Sequence, residues 1–189
     1  MSTLERTIIL GLALGLGAAV AAAQTAQTPA ASPSPGLGAS ISEADIKAWD
    51  IDASPSGKGL PAGSGTAAQG APIFEQKCSA CHGPGGKGGT TAPGAGPLVG
   101  GAPLTSGIDT AKTIGNFWGH STTVFDFIKR AMPFNQPRTL SNDDVYALTA
   151  FLLNANKIIG EKDVMNAQTL PQVKMPNRDG FIIRFPDRI

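Results

Sequence analysis

Residues 78–82 read Cys78-Ser79-Ala80-Cys81-His82, and the rest of the chain is best read outward from them. Two thiols three positions apart can each add to one of the two vinyl groups of a single porphyrin. A histidine directly after the second thiol then lies beneath the iron as its ligand. C-x-x-C-H is accordingly the attachment signature of a c-type haem, which assigns Cys78 and Cys81 to covalent bonds and His82 to the metal. Competing readings explain less of the run. A C-x-x-C redox pair has no need of His82, and a zinc site wants four ligands where these three residues exhaust the cluster. A local disulfide is the remaining plain alternative. The chain holds only two cysteines and two histidines, so both cysteines and one histidine fall within five residues.

Upstream, the pattern from Thr66 to Cys81 predicts a helix with Ile73 and Phe74 on the side leading to Cys78, which puts the motif at a helix carboxyl end. Gly83, Pro84, Gly85 and Gly86 stop it. The glycine run 83–89 with Lys87 is no phosphate loop, because Lys87 is followed by Gly88 instead of Ser or Thr and no apolar strand precedes it.

Downstream, Val124, Phe125 and Ile128 give an apolar face to a second helix, which Ser121 or Thr122 is expected to cap and Pro133 to end. Ser141, Asn142, Asp143 and Asp144 open a third, with a cap and carboxylates in the first turn where the helix dipole favours them. Its buried stripe is Val145, Leu148, Phe151 and Leu152. Four residues could complete the iron's coordination on the other face: Met132, Met165, Met175 and His120. A methionine is by default core filler. A second histidine ligand would lower the potential and imply a different redox partner.

These segments together resemble the class I cytochromes c, which implies an all-α fold around one covalent haem c. By that resemblance Gly70 and Phe74 sit where the first helix crosses the last, and Phe151 in Leu148-Thr149-Ala150-Phe151-Leu152 is the aromatic that meets them. Gly96-Pro97-Leu98-Val99-Gly100 resembles the family's proline segment, which implies that the Pro97 carbonyl accepts the Nδ1 hydrogen of His82 and turns Nε2 to the iron. Met132, fifty residues after His82 and followed by Pro133, matches the family's distal ligand.

The resemblance narrows on Trp49-Asp50-Ile51-Asp52, Gly59-Leu60-Pro61, Gly63-Ser64-Gly65, Arg130-Ala131-Met132-Pro133-Phe134, Val145-Tyr146-Ala147-Leu148-Thr149-Ala150 and Lys174-Met175-Pro176-Asn177-Arg178-Asp179-Gly180-Phe181. These look like the cytochrome c subunit of bacterial sulfite and sulfane dehydrogenases. The partners this implies are a molybdopterin dehydrogenase subunit as donor and a downstream cytochrome or oxidase as acceptor, with the chain acting as a redox subunit and no enzyme by itself. That subunit often carries two haem motifs, and this chain has one, so it is similar to one domain of it. A free or membrane-tethered shuttle serving another respiratory or photosynthetic complex is the alternative.

Of the 189 residues 41% are hydrophobic and 15% charged, which suits one core with extras. The formal net charge of +1 offers no strong field with which to grip nucleic acid or an anionic membrane. Residues 1–23 are expected to be an export signal: Arg6 precedes sixteen apolar or glycine residues, Ile8 to Ala23, that end in Ala21-Ala22-Ala23. The run is shorter than the ~20 strongly apolar residues of a spanning helix, so an uncleaved anchor is the lesser reading. The expected compartment is the periplasm. Residues 24–40 are expected to be a flexible linker, 41–65 an N-terminal arm, 66–156 the haem domain and 157–189 a C-terminal extension. In the arm, Ser42 and Asp45 predict a capped turn through Trp49, and Trp49 itself is expected to plug the domain surface.

Overall fold

The computed structural model describes residues 37–90, 92, 94–104 and 109–182. The expected export signal 1–23, most of the 24–40 linker and residues 183–189 lie outside these. The chain divides after Ile41, and the unit that carries the motif runs from Ser42 onward. Among the described residues no helix is long and apolar enough to cross a membrane.

Among its described residues this unit has five helices and one two-stranded ladder: α1 (Glu43–Trp49), β1 (Ser64–Thr66), α2 (Ala67–Lys77), α3 (Ser79–His82), α4 (Ser121–Ala131), α5 (Asn142–Ala155) and β2 (Val164–Asn166), with single 3-10 turns at Pro84–Gly86 and Leu170–Gln172. Helix α1 begins with the anticipated box, in which Ser42 Oγ accepts from Asp45 N and the Asp45 carboxylate accepts from Ser42 N. Thr66 with Gln69 and Ser141 with Asp144 do the same for α2 and α5. Helix α4 departs from expectation. Its N-cap is His120, which makes no side-chain cap bond, and Ser121 Oγ donates instead to the Leu170 carbonyl at 2.6 Å. A long-range partner has taken the hydroxyl that a local cap would have used.

The crossing of α2 on α5 organises the core. A Cβ on Gly70 would fall inside the Ala147 carbonyl and lie 2.8 Å from Phe151 Cβ, so only hydrogen fits there. Phe74 and Phe151 then meet with ring centroids 5.0 Å apart. Phe74, Phe125, Tyr146, Leu148 and Leu153 are wholly buried around this contact, each worth about 1.5–3 kcal/mol. That burial outweighs the ~3 kcal/mol handicap of Pro72 inside α2. The predicted helix over 66–81 is divided at Cys78, whose φ of −123° separates α2 from α3.

The arm and the extension are not separate appendages. Ser64, Gly65 and Thr66 pair antiparallel with Asn166, Met165 and Val164, which adds a small ladder that helical periodicity did not announce. Met165, Leu170 and Met175 are buried in the main core. Asn177 Nδ2 donates to the Phe117 carbonyl at 2.7 Å, and Phe181 packs edge-on against Phe117. Trp49 is no plug. It is 75% exposed, with the Arg138 guanidinium 5.6 Å from its ring centroid. The arm is held by its polar groups and by Ala53, buried in the core, with Leu60 packed against that core, while the indole stays on the surface beside Arg138.

Candidate haem site

A cavity of about 620 Å³ opens beside the motif. One wall comes from the end of α2 and from α3. The amides of Cys81 and His82 both donate to the Cys78 carbonyl, at 3.1 and 2.9 Å. This tight turn gathers Cys78, Cys81 and His82 on the cavity. His82 Nδ1 lies 3.1 Å from the Gly96 carbonyl oxygen. A carbonyl can only accept, so Nδ1 carries the hydrogen and Nε2 is left with its lone pair. The resemblance to the class I cytochromes c implies Pro97 as this acceptor, and the structure has the Gly96 carbonyl there instead, one residue earlier. Pro97 packs on the 83–89 loop instead, close enough that a Cβ on Gly88 would lie 3.3 Å from the Pro97 Cβ. Just beyond it, the Leu98 and Val99 amides donate to the Gly86 carbonyl at 2.8 and 3.0 Å.

Another wall comes from α4 and the loop after it. Met132 closes α4, its amide donating to the Ile128 carbonyl at 3.1 Å, and it faces the cavity with Ile128, Phe134 and Leu140. The other three candidates for the second axial position lie elsewhere. Met165 and Met175 are 4% and 3% exposed inside the core and do not line the cavity. His120 precedes the first residue of α4, about 16 Å of helix from Met132. Its Nδ1 is buried without a hydrogen-bond partner. Desolvation pushes its pKa below the ordinary histidine value, and the Arg178 charge adds in the same direction.

Cys78 and Cys81 are not joined in a disulfide. Burial, the largest influence, pushes the Cys78 thiol up to about 11. A dithiol built for exchange holds its attacking cysteine low, so this environment does not suit a redox pair. Among the described residues no three His, Cys, Asp or Glu side chains converge as a metal site would require.

A family model described as "Cytochrome C oxidase, cbb3-type, subunit III" matches residues 65–152. The crystal structure of the sulfane dehydrogenase SoxCD from Paracoccus pantotrophus contains a chain that is 39% identical. The match covers 82% of this chain and 73% of that one, with a TM-score of 0.70. The chain belongs to the c-type cytochromes. It is akin to the cytochrome subunit of that dehydrogenase, and its work is electron transfer on haem c. No curated protein matches it.

The residues of this cytochrome fit the haem that its family implies. The cavity is within the ~300–1,000 Å³ usual for cofactor sites. Phe74, Leu98, Ile128, Leu140, Leu148 and Leu152 supply an apolar lining, and the only thiols of the chain stand at its edge beside an oriented imidazole. Sequence reasoning missed the residue that braces this wall. Asn156, just past α5, donates through Nδ2 to the Leu98 and Leu152 carbonyls at 3.2 and 2.8 Å and accepts from Gly100 N at 3.0 Å. An asparagine at a helix end is the only local signal of this role, and it says nothing of the loop it will reach.

Proposed function

We propose that this cytochrome is the electron-accepting redox subunit of an exported, molybdenum-dependent sulfite- or sulfane-oxidising complex, working in the periplasm and passing electrons to a downstream cytochrome or oxidase. Cys78 and Cys81 would hold one haem covalently, and His82 and Met132 would bind its iron. The observation that carries this reading is the extent of the likeness to the sulfane dehydrogenase chain: 82% of this chain is matched, more than residues 66–156 could supply alone. A likeness confined to the haem domain would suit any small cytochrome. One that takes in the arm and the extension suits a shared assembly.

When bound, the haem supplies a one-electron couple between ferric and ferrous iron. The chain's own residues do the rest. His82, with Nδ1 tied to the Gly96 carbonyl, presents Nε2 in one orientation through both oxidation states. Met132 would close the iron to substrate, so little reorganisation would accompany each electron. Phe74, Leu98, Leu148 and Leu152 exclude water and so raise the cost of the ferric charge. Exposed Cys81 and Phe134, the latter 87% exposed, mark the edge where donor and acceptor approach.

Purification of the cytochrome with its native partners, followed by their identification by mass, tests the assembly. A molybdopterin subunit is expected, and recovery with a different redox complex would overturn it. The ligand assignment is tested separately in Met132→Ala, which is expected to lose the long-wavelength charge-transfer band that marks methionine sulfur on ferric haem iron. Met165→Leu and Met175→Leu are expected to keep it.

A further inference from the structure

The segment 49–53 grips both ends of the loop that carries Met132. On the helix side, Arg130, two residues before Met132, is paired with two carboxylates: Asp52 of the arm, and Asp126 one turn back at 3.0 Å. Asp126 Oδ1 also accepts the Ala53 amide at 2.9 Å, so the arm's backbone and the Arg130 guanidinium share one carboxylate. On the far side of the loop, Arg138 lies over the Trp49 ring. Beyond it the loop's end is tied inward, with Lys129 Nζ donating to the Leu140 carbonyl at 3.4 Å and to Asn142 Oδ1 at 2.8 Å. The arm then continues to α5, where Tyr146 Oη donates to the Pro61 carbonyl at 2.9 Å and Asn142 Nδ2 to the Ala62 carbonyl at 3.1 Å. Inside this bracket the loop's own bonds among the described residues are short-range, from Gln136 N to the Pro133 carbonyl and from Thr139 Oγ1 to the Gln136 carbonyl, each at 2.8 Å.

We propose that Asp52, acting through Arg130 and Asp126, is a positioning residue for the Met132 thioether: the N-terminal arm is a strap that resists withdrawal of Met132 from the cavity. The inference rests on Met132 being the axial ligand. Asp52 touches neither Met132 nor the cavity, and α4 would form without it, since the helix has its own Arg130–Asp126 pair four residues apart. What Asp52 adds is a tie from the last turn of α4 to a segment more than seventy residues away in sequence. That tie opposes the outward swing by which a methionine leaves its iron to an incoming ligand.

The test is displacement of the methionine by imidazole in the ferric, haem-loaded protein, read as loss of the methionine–iron charge-transfer band. Asp52→Asn removes the charge at constant size and is expected to raise the apparent imidazole affinity about two- to fivefold, the range an exposed ion pair supports. Trp49→Ala is expected to act in the same direction. In about 1 M NaCl, where the screening length falls to roughly 3 Å, the parent protein should approach the Asp52→Asn affinity while the variant barely moves. A merely structural Asp52 would lower the unfolding midpoint and leave imidazole affinity unchanged, and that result overturns the proposal. If the parent lacks the band, or Met132→Ala retains it, the ligand assignment fails and the strap with it. An intact assignment with an unresponsive Asp52→Asn refutes the strap alone.

Discussion

The two walls of the haem cavity are held by different kinds of bond. On the His82 side most fixings are main-chain hydrogen bonds and a backbone crossing: Cys81 and His82 amides on the Cys78 carbonyl, Leu98 and Val99 amides on Gly86, and Gly70 laid on Ala147, with the Asn156 side chain as an added brace. On the Met132 side, side chains carry more of the hold, Asp52 and Trp49 reaching in from the arm and Lys129 from α4 itself, and the Arg130 and Asp52 side chains are 41% and 74% exposed. Backbone contacts are short, numerous and little affected by salt. Exposed ion pairs are worth ~0–1 kcal/mol each and are screened. In the proposed ligation, His82 thus stands on the stiff wall and Met132 on the compliant one.

The sharpest way to break this contrast is at the crossing. Gly70→Val drives a branched side chain into the Ala147 carbonyl, and we expect a loss of about 3 kcal/mol in denaturant unfolding. A much smaller loss would show that the first wall is as compliant as the second. Next is Asn156→Ala, which strips partners from Leu98, Leu152 and Gly100. It should cost about 2 kcal/mol, since buried groups left unpaired carry their desolvation penalty. Tyr146→Phe removes the hydroxyl that ties α5 to Pro61 of the arm, and a loss of about 1 kcal/mol is expected. The same unfolding titration checks both, and the order Asn156 above Tyr146 sharpens the distinction between wall and arm.

The smallest effect is a pH dependence at the base of α4. Desolvation, aided by Arg178, lowers the His120 pKa in the folded protein. The unfolded chain therefore binds the proton more readily, so stability is fully present above about pH 6.5 and declines as pH falls through the folded-state value. Unfolding midpoints measured across that window should fall on acidification in the parent and fall less in His120→Gln. If the two slopes are equal, other groups carry the acid sensitivity.

Residues 78–82 named the cofactor by themselves, because two additions to vinyl groups and one iron ligand dictate residue type and spacing locally. Gly70, Phe74 and Phe151 were legible only through the resemblance to the class I cytochromes c, and the structure shows them in contact at a close helix crossing that tolerates hydrogen and little else at its centre. The Pro97 assignment missed by one residue. A proline can be read in a sequence, but which of two neighbouring carbonyls faces the imidazole depends on how the loop packs, and here Pro97 goes to the 83–89 loop while Gly96 turns inward.

Apart from the crossing of α2 on α5, the groups joined across long separations were silent in the sequence. The pairing of residues 64–66 with 164–166, the Ser121 hydroxyl given to Leu170, the Asn156 brace and the hold of the 49–53 segment on Arg130 and Arg138 each unite groups whose local sequence is ordinary. Sequence alone determined the chemistry of the site and the helices that carry it, because those follow from bond valence and from periodicities of a few residues. Only the tertiary structure decided what holds the Met132 loop and that Met165 and Met175 lie in the core instead of at the cavity, because burial and partner are properties of a side chain's whole surroundings.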